Sequence, residues 1–136
     1  MDTHVRVQDH NAQAVTPKMR RRSQLIRRLI GLRRQRNELF PEAVAGDASW
    51  VMLVELYLAA MEQRTESISS LCVASGVPST TALRYIKTMT DAGTIIREDD
   101  PGDGRRVFVY LAPDGLQRIE QLFDEMESHF DLSRRD

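Results

Sequence analysis

The stretch from Ser67 to Gly93 constrains this chain more than any other, because two short helical periods there are split by a tight turn and ended by a glycine. Ser67 is placed to cap a helix running to about Ala74. Ile68, Leu71 and Cys72 on that helix, with Val77 beyond the turn, supply an apolar pack. Gly76 lies in the turn Ser75-Gly76-Val77, where a chain reversing between helices often needs a left-handed backbone. A further helix is expected over 79–92, stopped at Gly93, where positive φ is needed again. Two strand-like runs follow, Thr94 to Glu98 and Arg106 to Leu111, joined by the turn-forming segment 99–105. Helix, turn, helix and hairpin in this order predict a mainly α fold with a small β-hairpin wing, a winged helix-turn-helix.

Helix 79–92 has two unlike sides. At about 100° per residue, Ala82, Tyr85, Ile86 and Met89 share the side expected to face the core. Thr80, Arg84 and Lys87 lie opposite, flanked by Thr81, Leu83 and Thr88, and no carboxylate occurs on the helix before Asp91. Hydroxyls, arginine and lysine near a helix start can hold phosphates and reach base edges in a major groove. At the hairpin, Arg105 and Arg106 sit where a wing tip could meet a minor groove. Asp103 is placed to brace the Arg105 guanidinium.

Around this module the sequence predicts a flexible basic leader over 1–22 and an N-terminal helix over 23–40 capped by Ser23, with Leu25, Leu29 and Leu32 on one face and Ile26 and Ile30 beside them. Gly31 in mid-helix costs ~1 kcal/mol relative to alanine. Pro41 to Gly46 reads as a linker. Asp47 is expected to cap a helix so apolar from Trp50 to Met61 that it belongs at a centre or an interface. The helix-turn-helix unit spans 47–112. A last helix over 113–132 carries the stripe Leu116, Ile119, Phe123, Met126 and Phe130.

The net charge of −1 conceals an asymmetry: residues 1–36 carry +8 and residues 37–136 carry −9. A basic arm on an acidic body suits nucleic-acid contact. No apolar run approaches the ~20 residues that span a bilayer, and one cysteine, Cys72, fits a reducing compartment, so a cytoplasmic, nucleoid-associated protein is expected. His4, His10 and His129 are too dispersed for a metal site, and Asp99, Asp100 and Asp103 lack the spacing of a calcium loop. Cys72 reads as a core residue. No nucleophile–base constellation or phosphate-cradling glycine loop is present, so an enzyme, a cofactor and a metal are not expected.

The stretch from about Ser67 to Gly115 resembles the DNA-binding lobe of the MarR family of bacterial transcription regulators. The carrying residues are Leu71, Gly76-Val77-Pro78-Ser79-Thr80-Thr81-Ala82, Arg84, Asp91-Ala92-Gly93 and the wing segment Asp100 to Arg106. The resemblance implies that helix 79–92 enters the major groove and that Arg105, supported by Asp103, enters the minor groove. It also implies a homodimer joined through helices 23–39 and 114–130. The family's helix after the wing opens with a threonine cap, whereas this chain has Ala112-Pro113, so an irregular start is expected there. Together these readings nominate Ser79, Thr80, Thr81, Arg84, Lys87, Thr88, Arg105 and Arg106 for contact with double-stranded DNA, with Asp103 as wing support. The competing reading is a winged-helix protein-interaction module that modulates another regulator. A further combination has the arginine-rich arm supplying nonspecific DNA affinity.

Overall fold

The computed structural model describes residues 15–39 and 47–135, with side chains for 15–35 and 47–128. The leader before Val15, the linker 41–46, His4, His10 and the side chains of His129 and Phe130 lie outside the described residues. The element order is α1 (Pro17–Leu39), α2 (Ala48–Met61), α3 (Ile68–Ser75), α4 (Ser79–Asp91), β1 (Ile95–Asp100), β2 (Asp103–Leu111) and α5 (Pro113–Arg135). This is the mainly helical, winged architecture that the sequence predicts.

Helix α1 starts six residues before Ser23, so 17–22 belongs to the helix and not to a leader. The cap is Thr16, whose Oγ1 accepts from the Met19 N–H at 3.1 Å, and Pro17 occupies the first helical position, where its missing donor costs nothing. Ser23 is buried instead, with its hydroxyl 3.9 Å from the Met61 sulfur. The inward face also differs from the leucine stripe. Ile26 is fully buried and Ile30 partly so, whereas Leu29 and Leu32 are 42% and 62% exposed. Arg22 and Arg33 find carboxylate partners on this inward side as well. Gly31 has open space where a Cβ would stand. Gly31→Ala is therefore expected to stabilise the protein by about 0.5–1 kcal/mol in denaturant titration, the helix-propensity difference alone.

Helix α2 is buried on nearly every side, as its composition requires. Tyr57 stacks on Phe123 of α5 with ring centroids 5.5 Å apart, and Met52, Met61, Leu71, Ile86 and Val109 close the core around it. Asp47 makes no side-chain cap hydrogen bond. Its carboxylate pairs with the Arg33 guanidinium and ties the start of α2 to α1. A cavity of about 240 Å³ remains between α1, α2 and α5, bordered by Ile30, Arg33, Trp50, Phe123 and Met126.

The helix pair forms as expected. Ser67 caps α3, accepting from the Ser70 N–H at 3.1 Å, and Gly76 takes φ 75° in the turn. Ser75 adds a lock: its hydroxyl donates to the Cys72 carbonyl at 2.6 Å and accepts from the Val77 N–H at 3.3 Å. Cys72 belongs to the core, and burial pushes its thiol up, the opposite of what a redox sensor needs. Helix α4 ends at Asp91, one residue before the expected end, with Ala92 as its cap and Gly93 following at φ 79°. Strands β1 and β2 pair antiparallel with Ile95 opposite Leu111, and they continue to a turn of only Pro101 and Gly102 where the composition suggests a seven-residue loop. The Asp100 carboxylate accepts from the Gly102 N–H at 2.8 Å, which folds the tip tightly. The base of β2 is joined to the entry of α3: the Val109 N–H donates to the Glu66 carbonyl at 2.9 Å and Ser67 bridges Phe108.

The expected irregular start of α5 is not found. Pro113 serves as its first residue, the Ala112 carbonyl accepts from the Leu116 N–H at 2.8 Å, and the Ala112 N–H donates to the Thr94 carbonyl at 2.9 Å. The backbone hydrogen bond to Thr94 ties the start of α5 to the residue that precedes β1. Helix α5 then extends past the expected end at 132 to Arg135.

Candidate nucleic-acid interface

Helix α4 buries Ala82, Ile86 and Met89 and half-buries Tyr85, the four positions assigned inward by helical spacing. The rotation this imposes leaves Ser79, Thr80, Arg84, Lys87 and Thr88 exposed and Thr81 half-buried at the flank. Thr80, Arg84 and Lys87 thus share one outward stripe. Their surroundings are not uniform. Arg84 leans over the Tyr85 ring, 6.0 Å from its centroid. Lys87 pairs with Asp91 at 2.7 Å across one helical turn, an exposed pair worth only a few tenths of a kcal/mol. Thr88 donates to the Arg84 carbonyl at 3.1 Å, which uses its proton and leaves oxygen lone pairs facing outward. Within that stripe Thr80 and Arg84 therefore present side-chain donors not already held by an ion pair or a backbone carbonyl, as do Ser79 and Thr81 at the helix start.

The wing arginines divide. Arg105 is 94% exposed at the tip, and Asp103 lies beneath it: its Oδ1 accepts from the Arg105 N–H at 3.0 Å and stands 3.6 Å from Nε. Arg106 points back along the hairpin, with Nε 2.9 Å from Asp100 and its guanidinium 5.3 Å over the Phe108 ring. The Asp100 carboxyl is held below the usual carboxylate range by the Gly102 N–H first and by Arg106 second.

Between wing and helix pair runs an open cleft of about 620 Å³, bordered by Ser67, Ser69, Leu83, Arg97, Arg105 and Arg106. Sequence reasoning missed Arg97 and Ser69. Arg97 was findable as the lone cation of a strand otherwise acidic at Glu98, Asp99 and Asp100. Strict alternation, however, puts it on the buried side with Ile95. The strand instead buries Ile95 and Glu98, three apart, because the hairpin twists. Tyr110 on the paired strand is buried as well, and that burial, with Glu98 nearby, pushes its hydroxyl up to about 12. Among the described residues no group of three or more metal-ligating side chains comes together, and no helix is long and apolar enough to cross a membrane.

No protein-family model and no curated protein matches the chain. Solved structures do. The transcriptional regulator Tm0710 from Thermotoga maritima aligns with a TM-score of 0.58 at 19% identity, over 83% of this chain and 78% of that one. NadR in complex with 4-hydroxyphenylacetate gives 0.54 at 22% identity, over 82% and 76%. The MepR–DNA complex of S. aureus gives 0.51 at 21% identity, over 82% and 91%. The chain thus has the fold of the MarR-family regulators of known structure, a winged helix-turn-helix flanked by two long helices.

Proposed function

We propose that this chain is a transcriptional regulator that binds specific sites on duplex DNA, with α4 in the major groove and the wing at the adjacent minor groove. The outward stripe Thr80–Arg84–Lys87, set beside a cleft edged by Arg97, Arg105 and Arg106, carries this reading. Arg84 and Thr80 have the chemistry to read base edges, Arg84 through a bidentate contact with guanine. Ser79 and Thr81 at the start of α4 suit phosphate oxygens. Lys87 exchanges Asp91 for a phosphate at little cost, since the pair is exposed. Arg105, held extended over Asp103, suits a narrow minor groove. Arg106 stiffens the tip from its seat on Phe108 and Asp100. The MepR–DNA complex, similar in fold, supports the choice of partner. The task is binding and selection, not catalysis, and it calls for no cofactor.

The exposed edge formed by Leu29, Leu32, Trp50 and Leu122 supports a homodimer joined through the terminal helices. Two-fold symmetry then implies a roughly palindromic site with half-sites about one helical turn, ~10 bp, apart. The same edge favours one other reading, a module that docks another regulator through it. Gel-shift titration across a salt series separates the two, because a DNA reader loses about one power of salt concentration per phosphate contact.

On a site selected from random duplexes, Arg84→Ala is expected to cost about 1–3 kcal/mol and to relax preference at one base position. Arg105→Ala is expected to weaken binding and erase preference for A·T-rich flanks. Parent-like binding by both variants would remove this assignment of roles.

A further inference from the structure

Helix α1 carries nine basic residues between Pro17 and Asn37 and no carboxylate before Glu38. Three of the arginines are engaged within the fold: Arg22 with Asp124 and Glu127, Arg27 with Glu62, and Arg33 with Asp47. Arg20, Arg21 and Arg28 are exposed, and the ion pairs of α1 among the described residues are made by Lys18, Arg22, Arg27 and Arg33 instead. At about 100° per residue they share one outer sector of roughly 140° with Gln24, Gly31, Arg27 and Arg34. The leucines lie on the adjoining flank, with Leu25 and Leu32 one turn from Arg21 and Arg28.

A helix whose outer face only meets solvent ordinarily alternates its charges, with acids one turn before the bases and near its start. Here the first turns carry Lys18, Arg20 and Arg21 at the positive end of the helix dipole with no acid among them. The arrangement is self-repulsive in isolation, and a polyanion relieves it. Eight of the nine cations are guanidiniums, whose planar fork fits phosphate oxygens two at a time. A lipid surface fits poorly, since an interfacial helix inserts a continuous apolar face, and α1 buries Ile26 and leaves only Leu29 and Leu32 well exposed. Carboxylates of a second copy, Glu120 and Glu125 of α5 among them, are the competing occupant, which a sedimentation measurement separates.

We infer that the outer face of α1, through Arg20, Arg21 and Arg28, binds the phosphodiester backbone of duplex DNA without reading sequence, as a contact surface separate from α4 and the wing. The inference rests on the DNA-binding reading above only for its choice of polyanion.

The test is fluorescence anisotropy with the full chain on two duplexes, a selected site and an unrelated sequence, each across 50–200 mM salt. Arg20→Gln/Arg21→Gln/Arg28→Gln, at exposed positions and with a good helix former, is expected to lower the slope of log affinity against log salt by about 2–3 on both duplexes. Across that salt range the parent then loses about 40-fold more affinity than the variant. The ratio between the two duplexes stays unchanged. The triple Arg→Lys variant, matched in charge, is expected to keep most of the parental slope. An unaltered slope in the glutamine variant overturns the inference, as does a changed oligomeric state by sedimentation, which points to a second copy as the occupant. If the parent shows no preference for either duplex but the slope still falls, α1 binds DNA and the site-reading role of α4 is wrong. If the parent binds neither duplex, both fail.

Discussion

Arg22→Ala is expected to destabilise the fold by about 3 kcal/mol in denaturant titration at neutral pH, the lower end of what removing one partner of a buried ion pair costs. Arg22 is 5% exposed and joins three helices. Its Nε donates to Glu127 at 2.7 Å, one terminal nitrogen donates to Glu127 and Asp124 at 2.8 and 2.6 Å, and the other donates to the Tyr57 hydroxyl at 2.9 Å. Alanine leaves the Tyr57 hydroxyl and the partly buried Glu127 without their donor and opens space where the arginine stem packed. Asp124 is half exposed and recovers water, which keeps the figure at the lower end. Arg22→Lys is expected to recover only part of the loss, because an ammonium cannot span both oxygens of Glu127.

The same cluster sets an acid dependence with a definite sign. Hydrogen bonds from Arg22 hold the Glu127 and Asp124 carboxyls below their ordinary values. A depressed carboxyl contributes stability that is complete above the unfolded pKa near 4 and is lost as pH falls through the lower folded value. The parent should therefore lose stability below about pH 4 more steeply than Arg22→Ala, in which that contribution is already gone. A variant within 0.5 kcal/mol of the parent at neutral pH, with an identical acid limb, would show that Arg22 is not the clamp.

Gly115→Ala is expected to cost about 2–3 kcal/mol, seen as a fall in Tm of roughly 10 °C. A Cβ there would stand 2.5 Å from the Thr94 carbonyl oxygen and 3.3 Å from its methyl. The obstacle is backbone, and that oxygen already accepts from Ala112, so it cannot swing aside without releasing the start of α5 from the hairpin. Alanine's better helix propensity, worth ~1 kcal/mol, offsets only part of the strain. The identical change at Gly31 has the opposite expected sign because nothing stands opposite that Cβ. Measured together, the two separate propensity from close packing.

The helix pair was legible because its determinants are local. Gly76 and Gly93 mark the left-handed positions, and the spacing of Ala82, Ile86 and Met89 fixes which side of α4 turns inward. Helix α1 was misread because its rotation depends on partners about a hundred residues away: Arg22 meets Glu127 and Asp124, contacts that no periodicity within 17–39 contains. Leu25, Leu29 and Leu32 make the more apolar stripe, yet Ile26 is the side chain that is fully buried, between Arg22 and Ile30 on the helix surface. Thr16-Pro17 carried a start signal that resembles the end of a loop. The Asp-rich wing looked like a long loop because composition does not reveal that Asp100 and Asp103 fold the tip with their own carboxylates. Lys87 and Asp91, four apart, were readable as a pair, and their distance of 2.7 Å narrows the set of available donors on α4.

The backbone bond from Val109 to Glu66, with Ser67 bridging Phe108, fastens the hairpin to the residue that caps α3. Hairpin and helix pair are thereby tied through backbone as well as packing. If that tie holds while DNA is read in the proposed mode, the spacing between α4 and the wing is fixed. Inserting one base pair between the segments touched by Arg84 and Arg105 should then abolish the benefit of one contact entirely, whereas a tethered, swinging arm would absorb the step.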